Sequence, residues 1–268
     1  MKLTPARRLR SLKRRYRERF PKALEGDEDP MSVDMSDASS TLLIAFGGLR
    51  GRIGMPPFEF LKLTGEIPVK RVFVRDLRQA WYHEGLPPDG RSLADVVEQL
   101  RGLIDAHGVR RLVVTGNSAG GYAALVFGRL LAADVVLSFA PQTTIDLAQL
   151  AAIGDHRWDE RLGDVTAAGA LDPAWVDLRS ALPSAGSSAT VCKVFFDTTL
   201  AQDRLHAERL AGIEGVRLYR FGRGSHHLVR SLRDCGALSR LLREAVSPGE
   251  AGVGPVAAGG ARGGPRVG

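Results

Sequence analysis

The chain has little cysteine, few aromatic residues and no long apolar run, and these shortages argue against a disulfide-stabilised fold, a large aromatic pocket and a membrane-spanning helix. Two cysteines, Cys192 and Cys235, are too few for a disulfide framework. No apolar run approaches the ~20 residues of a membrane-spanning helix, and the N-terminus lacks the apolar stretch of a secretory signal. We therefore expect a protein of the reducing cytoplasm, in which Cys192 is a small core residue. The 6% aromatic content predicts a ligand pocket of modest size.

The positive charge of the chain is concentrated at its N-terminus. The formal net charge is +7, but residues 1–22 hold ten Lys or Arg against one acid, which gives +9 there and 27 − 29 = −2 for the remainder. The apolar residues of this segment have helical spacing: Leu9, Leu12, Tyr16 and Phe20. Two interpretations are open. The helix packs on the folded body through its apolar stripe, or it holds the protein at an acidic partner such as anionic lipid, nucleic acid or an acidic carrier protein.

Composition divides the chain into three parts. Residues 1–40 are expected to be the basic helix and a linker, because residues 23–40 are rich in Asp, Glu, Ser and Pro and poor in apolar side chains. Residues 41–246 have the length and apolar content of one folded domain. Residues 247–268 are mostly Gly, Ala and Pro, which predicts a disordered tail.

Runs typical of strands alternate with helical runs in the predicted domain. Six strands are predicted, at residues 41–46, 69–75, 110–115, 134–139, 191–196 and 216–221. Helices are predicted over residues 93–106, directly after Ser118, near residues 200–211 and near residues 228–245, the first with Ser92 and Asp95 as a capping box. This alternation predicts an α/β fold with a doubly wound, mostly parallel sheet of about six strands flanked by helices. Functional groups are expected at the carboxyl ends of the strands.

The motif Gly116-Asn117-Ser118-Ala119-Gly120 joins a predicted strand to a predicted helix. This context favours a nucleophile elbow, a sharp turn that lifts the serine hydroxyl above the sheet at a helix N-terminus. Small residues two before and two after the serine let the backbone crowd at the turn. The alternative is a glycine-rich turn with an idle serine, because short motifs also match by chance.

A serine nucleophile needs a histidine base that is held by a carboxylate. Of the six histidines, His226 and His227 follow the last predicted strand, and we favour His226 because an apolar helix start follows it. The acid is expected after the strand at residues 191–196, where Asp197 and Asp203 both lie. We favour Asp203, because a carboxylate at the last position of a strand is often a turn-former or a helix cap.

The anion of a tetrahedral intermediate needs two hydrogen-bond donors. One is expected to be the backbone N–H of Ala119, directly after the nucleophile. The other is expected from Gly47 and Gly48, which follow the first predicted strand and allow close backbone approach. The alternative is that these two glycines form a plain turn at the strand end. Asp76 and Trp81, in the loop after the second predicted strand, are expected to serve core packing and a salt bridge, with lining of the pocket as the alternative.

These features together resemble the α/β-hydrolase superfamily of serine esterases, lipases and thioesterases. The resemblance covers residues 41–246 and rests on the elbow, on Gly47-Gly48, and on the order Ser118, Asp203, His226. It implies that the long stretch at residues 142–189 is a lid-like insertion. The sequence departs from the superfamily in two respects. The oxyanion loop lacks the His-Gly-Gly-Gly form of the hormone-sensitive-lipase branch, and about six strands are visible instead of the usual eight.

The resemblance leaves three functions open. The first is a serine hydrolase that cleaves an ester or thioester of a small-molecule or carrier-bound acyl group through an acyl-enzyme, without cofactor or metal. The second is an acyltransferase that uses the same triad with an acceptor other than water. The third is a non-catalytic binding protein of the same fold that works through its basic N-terminal segment.

Overall fold

A seven-stranded sheet lies at the centre of the structure, a computed structural model that describes residues 29–49, 59–184, 189–222, 226 and 228–247. The side chains of residues 59, 61, 62 and 184 are not part of this description. The helix predicted within residues 1–22 and the tail after residue 247 also lie outside the described residues.

The sheet order is β1-β3-β2-β4-β5-β6-β7, and every pairing is parallel except that of β1 with β3. The strands are β1 (Met31–Asp34), β2 (Thr41–Phe46), β3 (Lys70–Val74), β4 (Arg111–Asn117), β5 (Val135–Phe139), β6 (Val191–Asp197) and β7 (Val216–Phe221). The predicted doubly wound, mostly parallel sheet is thus confirmed, and its six predicted strands correspond to β2–β7.

Strand β1 corrects the prediction that residues 23–40 are a linker. It is short and partly exposed, and it pairs antiparallel with β3, Met31 opposite Val74 and Asp34 opposite Arg71. The ion pair of Arg71 with Asp34, at 3.0 Å between Nη1 and Oδ2, supports this pairing. Its four residues show no clear alternation, and its partner is distant in sequence, so local pattern did not indicate it.

Helices cover both faces of the sheet. They are α1 (Glu59–Thr64), α2 (Leu93–Ala106), α3 (Ala119–Leu130), α4 (Leu147–Ala152), α5 (Asp159–Ala167), α6 (Leu178–Ser184), α7 (Ala201–Glu208), α8 (Leu228–Asp234) and α9 (Ala237–Val246). Apolar side chains of helices α2 to α7 are buried together with Leu42, Ile44 and Phe46 of β2 in one apolar cluster. The apolar residues of α1, α8 and α9 bury with Leu43 and Ala45 in a second cluster on the other face. This alternation along β2 is the period-two pattern of a strand that is buried on both sides.

Two local signals determine where helices begin and end. Ser92 caps α2, its hydroxyl accepting the N–H of Asp95 at 3.2 Å, and the Asp95 carboxylate accepts the N–H of Arg91. The single helix predicted near residues 228–245 is instead two helices, α8 and α9. Gly236 separates them with φ of +76°, a left-handed conformation that glycine adopts at low cost.

The connection from β5 to β6 contains α4, α5 and α6, packed against the same face as α3. It is the segment predicted to be a lid-like insertion, and its action as a lid stays a prediction. We call residues 142–184 the insertion. None of the described helices is long and apolar enough to cross a membrane.

Candidate active site

Ser118 lies on a strained turn between β4 and α3. Its backbone has φ of 58° and ψ of −120°, a combination that non-glycine residues rarely adopt. The turn is so tight that a Cβ atom on Gly116 would lie 2.0 Å from the carbonyl oxygen of Gly120. A Cβ atom on Gly120 would lie 2.3 Å from the carbonyl oxygen of Phe46. Both positions therefore require glycine, and the motif residues serve the geometry for which the sequence predicted them.

Backbone hydrogen bonds to neighbouring segments hold this turn. The N–H of Ser118 donates to the carbonyl of Phe139 at 2.9 Å, at the end of the adjacent strand β5. The carbonyl of Ser118 accepts the N–H of Tyr122 at 3.0 Å, in the first turn of α3. Because β4, β5 and α3 all contribute, the sheet itself compensates for the strained dihedral angles at Ser118.

The structure brings together the three side chains predicted to form the triad. His226 Nε2 lies 3.1 Å from Ser118 Oγ, and His226 Nδ1 lies 2.9 and 3.0 Å from the two carboxylate oxygens of Asp203. An ionised carboxylate only accepts hydrogen bonds, so it favours the proton on Nδ1 and leaves the Nε2 lone pair facing the serine hydroxyl. The Asp203 side chain is 1% exposed and the His226 side chain 33%, so the acid is sealed and the base faces the opening of the site.

Asp203 lies in the first turn of α7, on the face of the helix that is turned towards the site. Asp197, the alternative acid, ends β6 and folds back on its own turn. Its Oδ1 accepts the N–H of Thr199 at 2.7 Å and the Thr199 hydroxyl at 2.6 Å. This is the turn-forming role that the sequence analysis expected of a carboxylate at a strand end. His227, the alternative base, lies outside the described residues.

The loop after β2 lies beside the elbow because β2 and β4 are adjacent, with Phe46 paired to Gly116. The prediction that Gly47 supplies an oxyanion donor is wrong for its own N–H, which donates to the carbonyl of Val74 at 2.8 Å. This bond extends the pairing of β2 with β3 by one residue. Among the backbone hydrogen bonds of the described loops and turns, none uses the N–H of Gly48 or Ala119, and their role as oxyanion donors stays a prediction.

Three residues that were not predicted lie in one cluster with the proposed triad: Asp155, Arg157 and His206. Arg157, from the insertion, donates through Nη1 to Asp203 Oδ1 at 3.2 Å. Its Nε and Nη2 donate to the two oxygens of Asp155 at 2.8 and 2.7 Å. His206 Nε2 lies 2.9 Å from Asp155 Oδ2 and supports this carboxylate from behind.

The ionised forms of Asp155 and Arg157 stabilise each other. Burial opposes the charge of Asp155, but hydrogen bonds from Arg157 and His206 outweigh it and hold the pKa of this carboxyl well below its usual range. Burial likewise opposes the charge of Arg157, and its two carboxylate partners outweigh it and raise its pKa. The pair Asp155-x-Arg157 and the spacing of Asp203 and His206, one helical turn apart, are visible in the sequence, but neither shows that the two pairs meet.

The loop after β3 lies over the sheet near the elbow. Trp81 is fully buried, its indole N–H donates to Gln142 Oε1 at 2.8 Å, and its ring meets Trp158 edge to face. Asp76 is buried and accepts the N–H of Tyr82 at 3.0 Å, and burial raises the pKa of its carboxyl. Core packing by Trp81 is therefore confirmed, while Asp76 shapes its own loop. Tyr82 in turn donates its hydroxyl to the carbonyl of Gly47 at 2.8 Å, which fixes the loop predicted to hold the oxyanion.

The remaining candidate groups serve the fold. Cys192 is buried in β6, and burial raises the pKa of its thiol to about 11, as expected of a core cysteine. Among the described residues, no cluster of three or more His, Cys, Asp or Glu side chains is arranged to hold a metal ion.

Comparison with known proteins supports the fold. No protein-family model and no curated protein matches the chain. Among solved structures it is similar to the capsule O-acetyltransferase of Neisseria meningitidis serogroup A, with 14% identity, a TM-score of 0.58, and coverage of 82% of this chain and 92% of that chain. It is also similar to an alpha/beta hydrolase enzyme from a lagoon-sediment metagenome, with 12% identity, a TM-score of 0.52, and coverage of 80% and 92%.

A third similar structure is a glycosylation-associated protein complex from Streptococcus agalactiae, with 16% identity and a TM-score of 0.56. The match covers 80% of this chain but only 43% of that one. Other solved structures of the same shape include esterases and lipolytic enzymes. The chain therefore has the α/β-hydrolase fold. The solved structures that share this fold with it include esterases, lipolytic enzymes and an O-acetyltransferase.

Proposed function

We propose that the protein is a serine hydrolase that cleaves an ester or thioester through an acyl-enzyme on Ser118. One observation carries this proposal. The hydroxyl of Ser118, the imidazole of His226 and the carboxylate of Asp203 form one continuous hydrogen-bonded chain at the top of a strained elbow. A serine at neutral pH is a weak nucleophile, and a base oriented in this way is what activates it.

The proposed reaction proceeds in two halves. Ser118 Oγ attacks the carbonyl carbon while its proton moves to His226 Nε2, and the charge of Asp203 stabilises the imidazolium that forms. The oxyanion accepts hydrogen bonds from the N–H groups of Ala119 and Gly48, at the N-terminus of α3 and in the loop after β2. His226 then gives its proton to the departing alkoxide or thiolate. The alcohol or thiol is released, and the acyl group remains on Ser118 as the acyl-enzyme. Water attacks the acyl-enzyme with His226 as base, and Ser118 is regenerated.

A second candidate is acyl transfer to an acceptor hydroxyl. The specific support is the similarity to an O-acetyltransferase, with a TM-score of 0.58. The first half of the reaction is the same in both candidates. In the second half an alcohol replaces water, and His226 removes its proton instead.

Covalent labelling tests the nucleophile. We expect a fluorophosphonate probe to add once per chain, on the peptide that contains Ser118, and the protein to hydrolyse p-nitrophenyl acetate. Ser118→Ala should abolish labelling and lower turnover by at least ~10³-fold with little change in melting temperature. Ser180→Ala, at an exposed serine on α6, is the matched control and should keep both. A folded wild-type protein that neither labels nor turns over would favour the non-catalytic binding protein.

Product analysis separates hydrolysis from transfer. The acyl-enzyme formed from an activated acetate ester is mixed with glycerol or a simple sugar, and acetate and acetylated acceptor are measured by mass spectrometry. Acetate alone supports the hydrolase. If the acetylated acceptor is the main product even at a low acceptor concentration, the transferase is supported.

A further inference from the structure

The guanidinium of Arg157 contacts two members of the proposed triad and comes from the insertion. Its Nη1 lies 3.2 Å from Asp203 Oδ1 and 3.4 Å from His226 Nδ1. The remainder of the group is committed to Asp155, with Nε on one oxygen and Nη2 on the other. These bonds use one N–H on each of the three nitrogens, so the guanidinium is held mainly by the two carboxylates.

Arg157 is itself held from behind by a built network. The N–H of Thr143 donates to His206 Nδ1 at 3.0 Å, which places the imidazole proton on Nε2, where it faces Asp155 at 2.9 Å. His206 and Asp155 are both buried, so this support is rigid. Asp203 and His206 lie three residues apart on α7, and Asp155 and Arg157 of the insertion bridge them.

The contact of Arg157 with Asp203 matters because the Asp203 carboxylate is buried. A carboxylate that is 1% exposed needs a compensating charge, and in the resting enzyme His226 must be neutral to act as a base. The guanidinium of Arg157 supplies a positive charge to Asp203 that does not depend on a proton on the imidazole.

We propose that Arg157 is a positioning residue of the triad: the permanent counter-ion of Asp203, which keeps His226 unprotonated at neutral pH. This inference rests on the proposed function. Among the described residues, the titratable or charged groups that face this imidazole are Asp203 from α7, Arg157 from the insertion and Ser118 at the elbow. Asp203 wins the competition for Nδ1, since both its oxygens lie nearer than the guanidinium, so the imidazole keeps its lone pair on the serine side.

The simpler alternative is that Arg157 only ties the insertion to the body. Arg161 offers a matched comparison, because it is also in the insertion and donates to the carbonyls of Arg78 and Gln79 in the body, without contact to the triad. A structural tie lowers activity equally at every pH. A counter-ion changes the pH at which the base becomes available.

The test measures p-nitrophenyl acetate turnover against pH in the wild type, Arg157→Met, Arg157→Lys and Arg161→Met. We expect the acidic limb of the Arg157→Met profile to move up by about one pH unit and turnover to recover at alkaline pH. The reason is that Asp203, without the positive charge of Arg157, favours the protonated form of His226 more strongly. Arg157→Lys keeps the charge and should leave the limb close to that of the wild type. Arg161→Met should leave the limb in place. An Arg157→Met profile that drops uniformly without a shift overturns the inference.

Nuclear magnetic resonance of the imidazole makes the test independent of turnover. The Cε1–H signal of His226, assigned with His226→Gln, reports protonation directly, and its midpoint should rise in Arg157→Met even if the proposed function fails. An unchanged midpoint refutes the counter-ion role, whereas an inactive wild type with a shifted midpoint refutes only the hydrolase. If Arg157→Met does not fold, the double variant Asp155→Asn with Arg157→Met removes both charges of the pair and is expected to show a smaller shift in the same direction, because Arg157 is the nearer of the two to the imidazole.

Discussion

Asp197 ends β6 and Asp203 lies six residues further on, in α7, and the surroundings of the two carboxylates differ. Asp197 closes a turn on Thr199, while Asp203 reaches an imidazole across the end of the sheet. We expect Asp203→Asn to lower ester turnover by about 10⁴-fold, because the amide keeps the shape but favours the wrong tautomer of His226. Asp197→Asn should mainly lower the melting temperature. Turnover and thermal unfolding of both variants check this, and an inactive, stable Asp197→Asn beside an active Asp203→Asn would reverse the assignment.

At the residue scale, the predicted residues lie together in the structure where one strong local rule applied. Ser118 was found because glycines two residues before and after it allow a turn that a Cβ atom would block. Asp203 and His226 were found because functional groups follow strand ends in a fixed order. Arg157 was missed because its contact with Asp203 spans 46 residues and depends on how the insertion folds, which no local pattern describes. Gly47 was assigned as a donor because a sequence does not show which N–H a neighbouring strand already uses.

At the scale of elements, the insertion is joined to α3 by a buried histidine. His83 Nδ1 accepts the N–H of Asp172 at 2.8 Å, and Nε2 lies 2.6 Å from the hydroxyl of Tyr122. That hydroxyl donates to the carbonyl of Trp175 at 2.9 Å, so it accepts the proton of Nε2 and the imidazole is neutral. Burial lowers the pKa of His83 to about 4, since a second proton would meet a backbone N–H in an apolar setting.

This arrangement predicts how stability depends on pH. The folded pKa of His83, about 4, is below the unfolded value of 6.5, so between these values the unfolded chain binds more protons. The contribution is complete above pH 6.5 and is lost as the pH falls to 4, by up to about 3 kcal/mol in the free energy of unfolding. Urea unfolding at several pH values measures it. His83→Gln should be less stable at pH 7.5 and lose less on acidification.

The exposed His156 provides the control for this experiment. It pairs with Asp159 on the surface, and His156→Gln should keep the wild-type dependence on pH. Equal slopes in the wild type and His83→Gln between pH 6.5 and 4 would mean that His83 does not contribute in this way. Other buried acids also affect stability, but their effect is common to the three proteins and cancels in the comparison.

Elements with a strong period were predicted well and those without one were not. The helix α2 was predicted with its bounds because its apolar face and its cap agree. The strand β1 was missed because its stability comes from pairing with β3, whose paired residues lie 37 to 43 positions further along the chain, and not from its own four residues. The break between α8 and α9 was missed because an apolar face continues through it, although Gly236 marks the place.

At the scale of the whole molecule, the positive charge and the proposed active site lie in different parts of the sequence. The net charge of residues 1–22 is +9, whereas the remaining chain carries −2 and contains every residue of the proposed triad. We therefore expect ester chemistry on a small uncharged substrate not to depend on the basic segment. We expect attraction of a polyanion to depend on it and to weaken with salt, because the Debye length falls from about 10 Å at 0.1 M to about 3 Å at 1 M.

We predict that a chain lacking residues 1–22 hydrolyses small esters within a few-fold of the full-length rate and loses salt-sensitive binding to anionic vesicles, nucleic acid or an acidic carrier protein. Binding at low and high salt, turnover and melting temperature measure the three consequences. A matched variant that changes the Lys and Arg of this segment to Gln, while keeping Leu9, Leu12, Tyr16 and Phe20, separates charge from apolar packing. It should lose binding and keep the melting temperature. If instead the truncated chain melts much earlier and the full-length protein binds no polyanion at low salt, the segment stabilises the fold and the acidic partner is ruled out.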